Sequence, residues 1–328
     1  LAEKKFGTVI HRHAFSDVLE LFRVVPDDGS KFPEYKSGQY IALSRDNCRL
    51  TKKITDGQGM VKYIPDLDEA GRQKRGQVTH SYSISSAPYE TQTEGFLEFY
   101  VVLEKVDMGV QGRLSESLFS LDPDNDNKIF YMNKIVGEFT LDKRAAGFRN
   151  VVMIATGTGL APFASMVKQL DYEAKTGKAS DIRYTLFHAN RTREELGYHE
   201  VFRSIEAAKK FDFAYVPSVS RPTPHDLQNP GIGKGRANNL LRAAFSMPTK
   251  EEQALQEAKS SGKDPATAEK AFQKLITPVL PQQHSPASLM QRMNPKETVV
   301  LTCGNPNGMA DIKYICEKNT IRCEIEEW

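Results

Sequence analysis

The sequence predicts two domains of different class: an N-terminal β domain and a C-terminal α/β domain built on a parallel sheet. Three observations carry this. The chain has 328 residues, about twice a usual domain length. In its first part, short runs rich in β-branched and aromatic residues are separated by turn-prone residues, the signature of strands. Beyond residue 148 the runs become continuous and apolar and alternate with stretches of helical period, the pattern of βαβ units. The boundary is expected within DKRAAGFRN, giving domains of 1–145 and 146–328.

Taken in order, TVIHRHAF, VLELFRVV and GQYIALS read as strands. A polar, basic excursion between strands follows over 45–77. SYSISS and GFLEFYVVLEKV resume the strand pattern. GRLSESLFSL reads as a short helix, with Ser115 a normal N-cap residue type. NKIFYMNKIVGEFTL closes the β-region. NVVMIA is a strand buried on both faces, and it ends in Thr156-Gly157-Thr158-Gly159. APFASMVKQLDYEAK then carries helical periodicity, with Pro162 in the first turn. IRYTLFHA, FAYVPSV, TVVLTCG and CEIEE are further strands, and HEVFRSIEAAKKF is a helix. GIGKG at 231–235 reads as a turn, because it lacks the Lys-Ser/Thr of a P-loop.

Residues 246–296 interrupt the rhythm. They are rich in Ala, Lys, Glu and Gln and hold two helix starts. Thr249-x-x-Glu252 is a capping-box pattern, and Asp264-Pro265 an N-cap followed by Pro at N1. Ala268, Ala271, Phe272, Leu275 and Ile276 would share one helical face. The segment reads as a helical insertion, open to surface decoration, a subunit interface or partner docking.

Composition narrows the function classes. Lys plus Arg is 44 and Asp plus Glu is 42, a formal charge of +2, which argues against a dedicated nucleic-acid binder. No apolar run approaches the roughly 20 residues of a membrane helix. Cys48, Cys303, Cys316 and Cys323 show no C-x-x-C spacing, so an in-chain cluster or zinc site is not expected. LAEKKFGTVIHRH has no apolar signal core, and the expected location is cytoplasmic. The single Trp is Trp328.

The chemistry-bearing motifs each have a plain structural explanation when taken alone. ATGTGLAPF puts a glycine pair between a buried strand and a helix N-terminus, a physical recipe for holding a pyrophosphate. HSYSISS gathers hydroxyl groups on a strand, and TCGNP could be a strand end with a buried thiol. Their order is more specific. His80-Ser81-Tyr82-Ser83-Ile84-Ser85-Ser86, then Tyr100-Val101-Val102, then Gly112-Arg113-Leu114-Ser115, then Gly157-Thr158-Gly159-Leu160-Ala161-Pro162, then Cys303-Gly304-Asn305-Pro306 resembles the ferredoxin–NADP reductase family. The resemblance covers nearly the whole chain apart from the two excursions.

The resemblance implies an N-terminal antiparallel β-barrel that binds FAD and a C-terminal α/β domain that binds NADP(H). Tyr82 would pack on the flavin ring and Ser83 would sit near its N5, with Tyr100 and Val102 also in the FAD site. Gly112, Arg113, Leu114 and Ser115 would offer backbone N–H groups and a hydroxyl to the FAD pyrophosphate. Gly157, Thr158 and Gly159 would support the NADP pyrophosphate, and Cys303 would lie near the nicotinamide. Trp328 would stack on the flavin and move to admit nicotinamide, a gate. Ser83, Cys303 and Trp328 are therefore the expected catalytic group. The family pattern Arg-x-Tyr-Ser-x-x-Ser has His80 in place of Arg here. His lacks a permanent charge and a bidentate fork, and Arg113 is expected to supply the missing charge. A 2′-phosphate on the nucleotide needs cations. Ser220, Arg221, Arg236 and Arg191 are the expected contacts, with Lys234 adding charge.

The implied activity is electron exchange between NADP(H) and a one-electron carrier, ferredoxin or flavodoxin. Such carriers are acidic, and Arg72, Lys74 and Arg75 are docking candidates or a solvated turn. Glu324, Glu326 and Glu327 are carboxylates able to relay a proton or simply to face water. The alternatives are an oxygenase reductase component, a reductase of small acceptors, and a non-catalytic binding module.

Overall fold

The computed structural model describes residues 3–55, 61–104, 113–178, 180–262 and 264–326, the side chains of Val61 and Lys62 excepted. The chain divides into two compact units, Leu1–Thr140 and Leu141–Trp328. The division falls slightly ahead of the expected boundary at 145. Helix α3 (Leu141–Arg144) belongs to the second unit because Arg144 Nη1 donates to Glu324 Oε2 at 3.1 Å. Here β and α number the strands and helices along the chain.

The first unit is a curled antiparallel sheet. Its strands are β1 (Lys4–Ser16), β2 (Leu19–Pro26), β3 (Tyr40–Arg49), β6 (Arg75–Ser83), β7 (Leu97–Val102) and β8 (Lys128–Val136), ordered β6-β3-β8-β1-β2-β7. Its edges approach just past the end of β6, where Ser85 N–H donates to the Glu98 carbonyl of β7 at 2.8 Å. The inward residues of each strand meet in one core that includes Phe22, Ile41, Leu43, Phe99, Ile129 and Tyr131. Burying each of these aliphatic or aromatic side chains contributes about 1.5–3 kcal/mol. Helix α2 (Arg113–Phe119) closes that core with Leu114 and Leu118, both fully buried.

Two features of this unit differ from the sequence reading. The excursion over 45–77 is shorter and more regular. β3 runs on to Arg49, β6 begins at Arg75, and β4 (Thr51–Thr55) pairs antiparallel with β5 (Val61–Pro65) between them. Thr51-Lys52-Lys53-Ile54-Thr55 has no buried residue, so no alternating apolar signal announces it. Helix α1 (Pro88–Glu94) also lies within what reads as a strand region. Its cues were local: Pro88 at N1, Glu90 accepting from Ala87 N–H at 2.7 Å, and Gly95 left-handed at φ 77.

The second unit is a parallel sheet of β9 (Asn150–Thr156), β10 (Arg183–Asn190), β11 (Phe213–Val219), β12 (Gly233–Lys234), β13 (Thr298–Cys303) and β14 (Arg322–Ile325). Their order is β12-β11-β10-β9-β13-β14. β9, β11 and β13 are buried along almost their whole length, as continuous apolar strands of a covered parallel sheet must be. The remaining helices are α4 (Ala161–Lys175), α5 (His199–Ala208), α6 (Pro224–Gln228), α7 (Ala237–Ala244), α8 (Lys250–Ser260), α9 (Ala266–Gln273), α10 (Pro286–Met290) and α11 (Pro306–Lys318).

GIGKG is not a plain turn. Gly233 and Lys234 form the edge strand β12, and Lys234 exchanges backbone hydrogen bonds with Val279 at 2.8 and 3.0 Å. Within the insertion, the Thr249 capping box forms, with Thr249 Oγ1 accepting from Glu252 N–H at 3.2 Å. The second start shifts by one residue. Pro265 is the N-cap, and Asp264 Oδ1 accepts from Ala266 N–H at 3.0 Å. α9 stops at Gln273, so Leu275 and Ile276 lie beyond it, and Phe272 is 40% exposed. The expected apolar face does not form because the chain must leave the helix there to bring Val279 to β12.

Candidate functional site

In the second unit, β9 has its neighbours β10 and β13 connected in opposite directions, so strand order reverses beside it. Open α/β sheets hold ligands at the carboxyl ends of strands at such a point. Two turns meet there. Gly157 is left-handed at φ 56 and opens a 3₁₀ turn, Gly157–Leu160. A Cβ on Gly159 would overlap the Cys303 carbonyl at the end of β13. Gly304, at φ 133, presses in turn on Thr156, whose Oγ1 accepts from Asn305 N–H at 2.9 Å. Only glycine permits this approach, so the two turns interlock as one platform.

A cavity of about 460 Å³ lies on this platform. Thr156, Gly157, Asn190, Arg191, Ser220, Arg221, Arg236, Lys250 and Asn307 are among its walls. Four residues expected from sequence, Arg191, Ser220, Arg221 and Arg236, are thus brought together. Their charges are unequal in availability. Arg191 donates to both carboxylate oxygens of Glu195, with Nε at 2.7 Å. Arg236 Nη1 lies 3.8 Å from Glu251 Oε1 and is 69% exposed. Arg221 is exposed at the cavity wall. Lys234 does not reach the cavity. Its ammonium is buried and donates to the Asn229 carbonyl at 2.9 Å and to the Ile232 carbonyl. Thr158 and Gly159 sit in the turn below, off the cavity wall. Cys303 is a buried thiol at the end of β13.

In the first unit, His80 and Tyr82 lie on one face of β6, two residues apart, and both are half-buried. Arg113 begins α2 in the left-handed region, at φ 65. Its Nη2 donates to His80 Nε2 at 2.9 Å, and the Tyr63 ring of β5 lies 4.7 Å from its guanidinium carbon. Burial and the adjacent Arg113 push the His80 pKa down. His80 is therefore a neutral acceptor beside the Arg113 guanidinium. Tyr82 packs against the core, and burial raises its pKa. Ser83 is 5% exposed, and its Oγ is buried without a hydrogen-bond partner among the described residues. Such an orphan costs about 1–3 kcal/mol, a cost that a bound group with a matching polar atom removes.

The other expected contacts are distributed differently. Tyr100 is buried, with its ring 5.5 Å from Phe15, while Val102 is 38% exposed. The Leu114 side chain is in the core, so only its backbone can face a ligand. Ser115 is not a cap: it lies inside α2 and accepts from Glu104 N–H at 3.2 Å. Gly112, Glu327 and Trp328 lie outside the described residues. Glu324 is paired with Arg144 at 3.1 Å and Arg322 at 2.8 Å. Burial raises the Glu326 carboxyl to about 7. Arg72 pairs with Asp68 at 3.1 Å and Lys74 with Asp66 at 3.2 Å, so two of the three docking candidates carry their own counter-charge.

With this geometry in view, the chain was compared with known proteins. Residues 153–255 match the oxidoreductase NAD-binding domain. Over 136 residues the chain is 34% identical to the flavodoxin/ferredoxin–NADP reductase of Buchnera aphidicola subsp. Baizongia pistaciae, covering 41% of this chain and 48% of that one. A ferredoxin NADP+ reductase from Neisseria gonorrhoeae, with bound FAD and NADP, superposes with a TM-score of 0.58 at 18% identity over 99% of both chains. The chain carries an oxidoreductase NAD-binding domain and shares the two-domain fold of the ferredoxin–NADP reductases. The flavohemoprotein of Halalkalibacterium halodurans is also similar, 26% identical over 67% of this chain and 44% of that one. The chain spans about half the length of the curated relatives it matches.

The sequence reading missed one wall of the cavity. Asn190, Asn305 and Asn307 end strands or begin α11, and Lys250 begins α8. The Thr-x-x-Glu pattern located the start of α8, and CGNP read only as a strand end and turn. Neither could say that the two segments face the same space.

Proposed function

We propose that this protein is an FAD-dependent oxidoreductase that exchanges electrons between NADP(H) and a one-electron carrier protein such as ferredoxin or flavodoxin. The observation that carries the reading is the cationic cavity, with Ser220, Arg221 and Arg236 set over the interlocked glycine turns. A 2′-phosphate is the chemistry that such a cluster suits. The names of the matched reductases support it.

FAD, when bound, supplies hydride acceptance and stepwise electron release. The chain's own residues position and shield. Arg113, held by His80 and Tyr63, offers a permanent charge to the pyrophosphate. Ser83 offers an unsatisfied hydroxyl to a polar edge of the flavin, and Tyr82 offers an aromatic face. Gly157 and Thr158 let the nucleotide pyrophosphate approach backbone, and Cys303 takes the nicotinamide side. A second reading, a reductase of other acceptors, is favoured by the self-paired Arg72 and Lys74, which weaken a basic docking patch.

The test is spectroscopic and kinetic. The purified protein is expected to be yellow and to bleach anaerobically with NADPH, with kcat/KM for NADPH at least about tenfold above NADH, as a lost charge-assisted contact dictates. Colourless protein, or a preference for NADH, overturns the reading. Faster turnover with small acceptors than with ferredoxin or flavodoxin selects the second one.

A further inference from the structure

The insertion supplies one wall of the nucleotide cavity. Lys250 is the first residue of α8, and it stands in that wall beside Asn307. Its Nζ donates to the Asn307 carbonyl at 3.1 Å, and its backbone N–H donates to Asn239 Oδ1 of α7 at 3.0 Å. The start of α8 is fixed from three sides. Arg242 of α7 is 2% exposed and donates to both oxygens of Asp311 on α11, at 2.9 and 2.6 Å. The same guanidinium donates to the Pro248 carbonyl and to Gln253 Oε1, each at 2.9 Å. Gln253 Nε2 also donates to Tyr314 Oη at 3.0 Å. A segment that merely decorated the surface would need no buried clamp to the helices around a ligand cavity.

Charge sharpens the point. Arg191 is neutralised by Glu195, and Arg236 leans toward Glu251. Glu251 is also engaged by Asn239, whose Nδ2 donates to Oε2 at 2.8 Å. Among the described residues Lys250 has no carboxylate partner, so its ammonium is available to a ligand. A half-buried cation already held to one carbonyl loses little side-chain freedom on binding.

We propose that Lys250 is a nucleotide-recognition residue, a cation that the insertion delivers to the phosphates at the adenosine end of the bound nucleotide. This rests on the NADP reading of the cavity. The probe is 2′,5′-ADP, titrated calorimetrically into the protein as purified, with 5′-AMP as the reference. Lys250→Gln is expected to bind 2′,5′-ADP about tenfold more weakly than wild type, with an unchanged melting temperature, and Lys250→Arg is expected to restore most of the affinity. Wild-type affinity in Lys250→Gln, alongside a loss in Arg221→Gln, overturns the role of Lys250 and leaves the cavity reading intact. A wild-type protein that binds 2′,5′-ADP no better than 5′-AMP overturns the cavity reading itself.

Discussion

Arg113 is held on two sides, by the hydrogen bond to His80 and by the Tyr63 ring. Guanidinium keeps its charge at any working pH, whereas His80 is neutral beside it. If FAD binds as proposed, its pyrophosphate is expected to depend on the arginine, with the histidine orienting it. Arg113→Ala is expected to weaken FAD retention about 10- to 100-fold, the scale of a hydrogen bond to a charged group. His80→Ala should cost only a few-fold. Flavin fluorescence after gel filtration measures both, and equal retention in the two variants overturns the division of labour. At this scale the sequence was informative. The His-for-Arg replacement in the Arg-x-Tyr-Ser-x-x-Ser pattern pointed directly at Arg113. It could not supply Tyr63, which arrives from a hairpin with no apolar period. Nor could it show that Ser83 keeps a buried hydroxyl without a partner among the described residues.

Among the elements, the platform at the ends of β9 and β13 combines two turns far apart in sequence. Gly159 contacts Cys303, and Gly304 contacts Thr156. Both neighbours are part of the packed strand ends, so neither can yield as a flexible side chain would. Gly159→Ala is expected to destabilise the protein by roughly 1–3 kcal/mol or more and to weaken nucleotide binding with it. Thermal melting with and without NADP+ checks this, and an unchanged melting temperature contradicts the close approach. The TGTG and CGNP motifs were legible as turns, yet each glycine's need was not. The reason for each lies on the other strand.

Across the molecule, pH dependence reports how its buried histidines are arranged. His188 of β10 and His199 of α5 both approach the Tyr215 hydroxyl of β11, at 3.0 and 3.1 Å. Burial pushes His188 down to about 3 and His199 down to about 4. Both are neutral in the fold. The unfolded chain takes up protons below the ordinary value of 6.5, which the folded chain refuses. Stability from this pair is therefore complete above about pH 6.5 and falls as pH drops toward 4. Urea midpoints between pH 7 and 4.5 should decline, and less steeply in His199→Gln. A flat profile overturns the burial argument. The sequence offered these histidines only as scattered members of two elements.

What the sequence determined by itself is the two-domain architecture, most strands of the two large sheets, the flavin-type and nucleotide-type motif order, and the cations Arg191, Arg221 and Arg236. These depend on local pattern: apolar period, glycine position and residue type at a turn. Tertiary structure alone decided which cation is neutralised, that Lys234 turns inward, and that α8 brings Lys250 to the cavity. Each of these is settled by the groups that the folded backbone brings within reach: Glu195 across the turn after β10, the Asn229 carbonyl beside β12, and the Arg242–Asp311 clamp between helices. Charge availability is a property of neighbours in space, and no pattern along the chain records it.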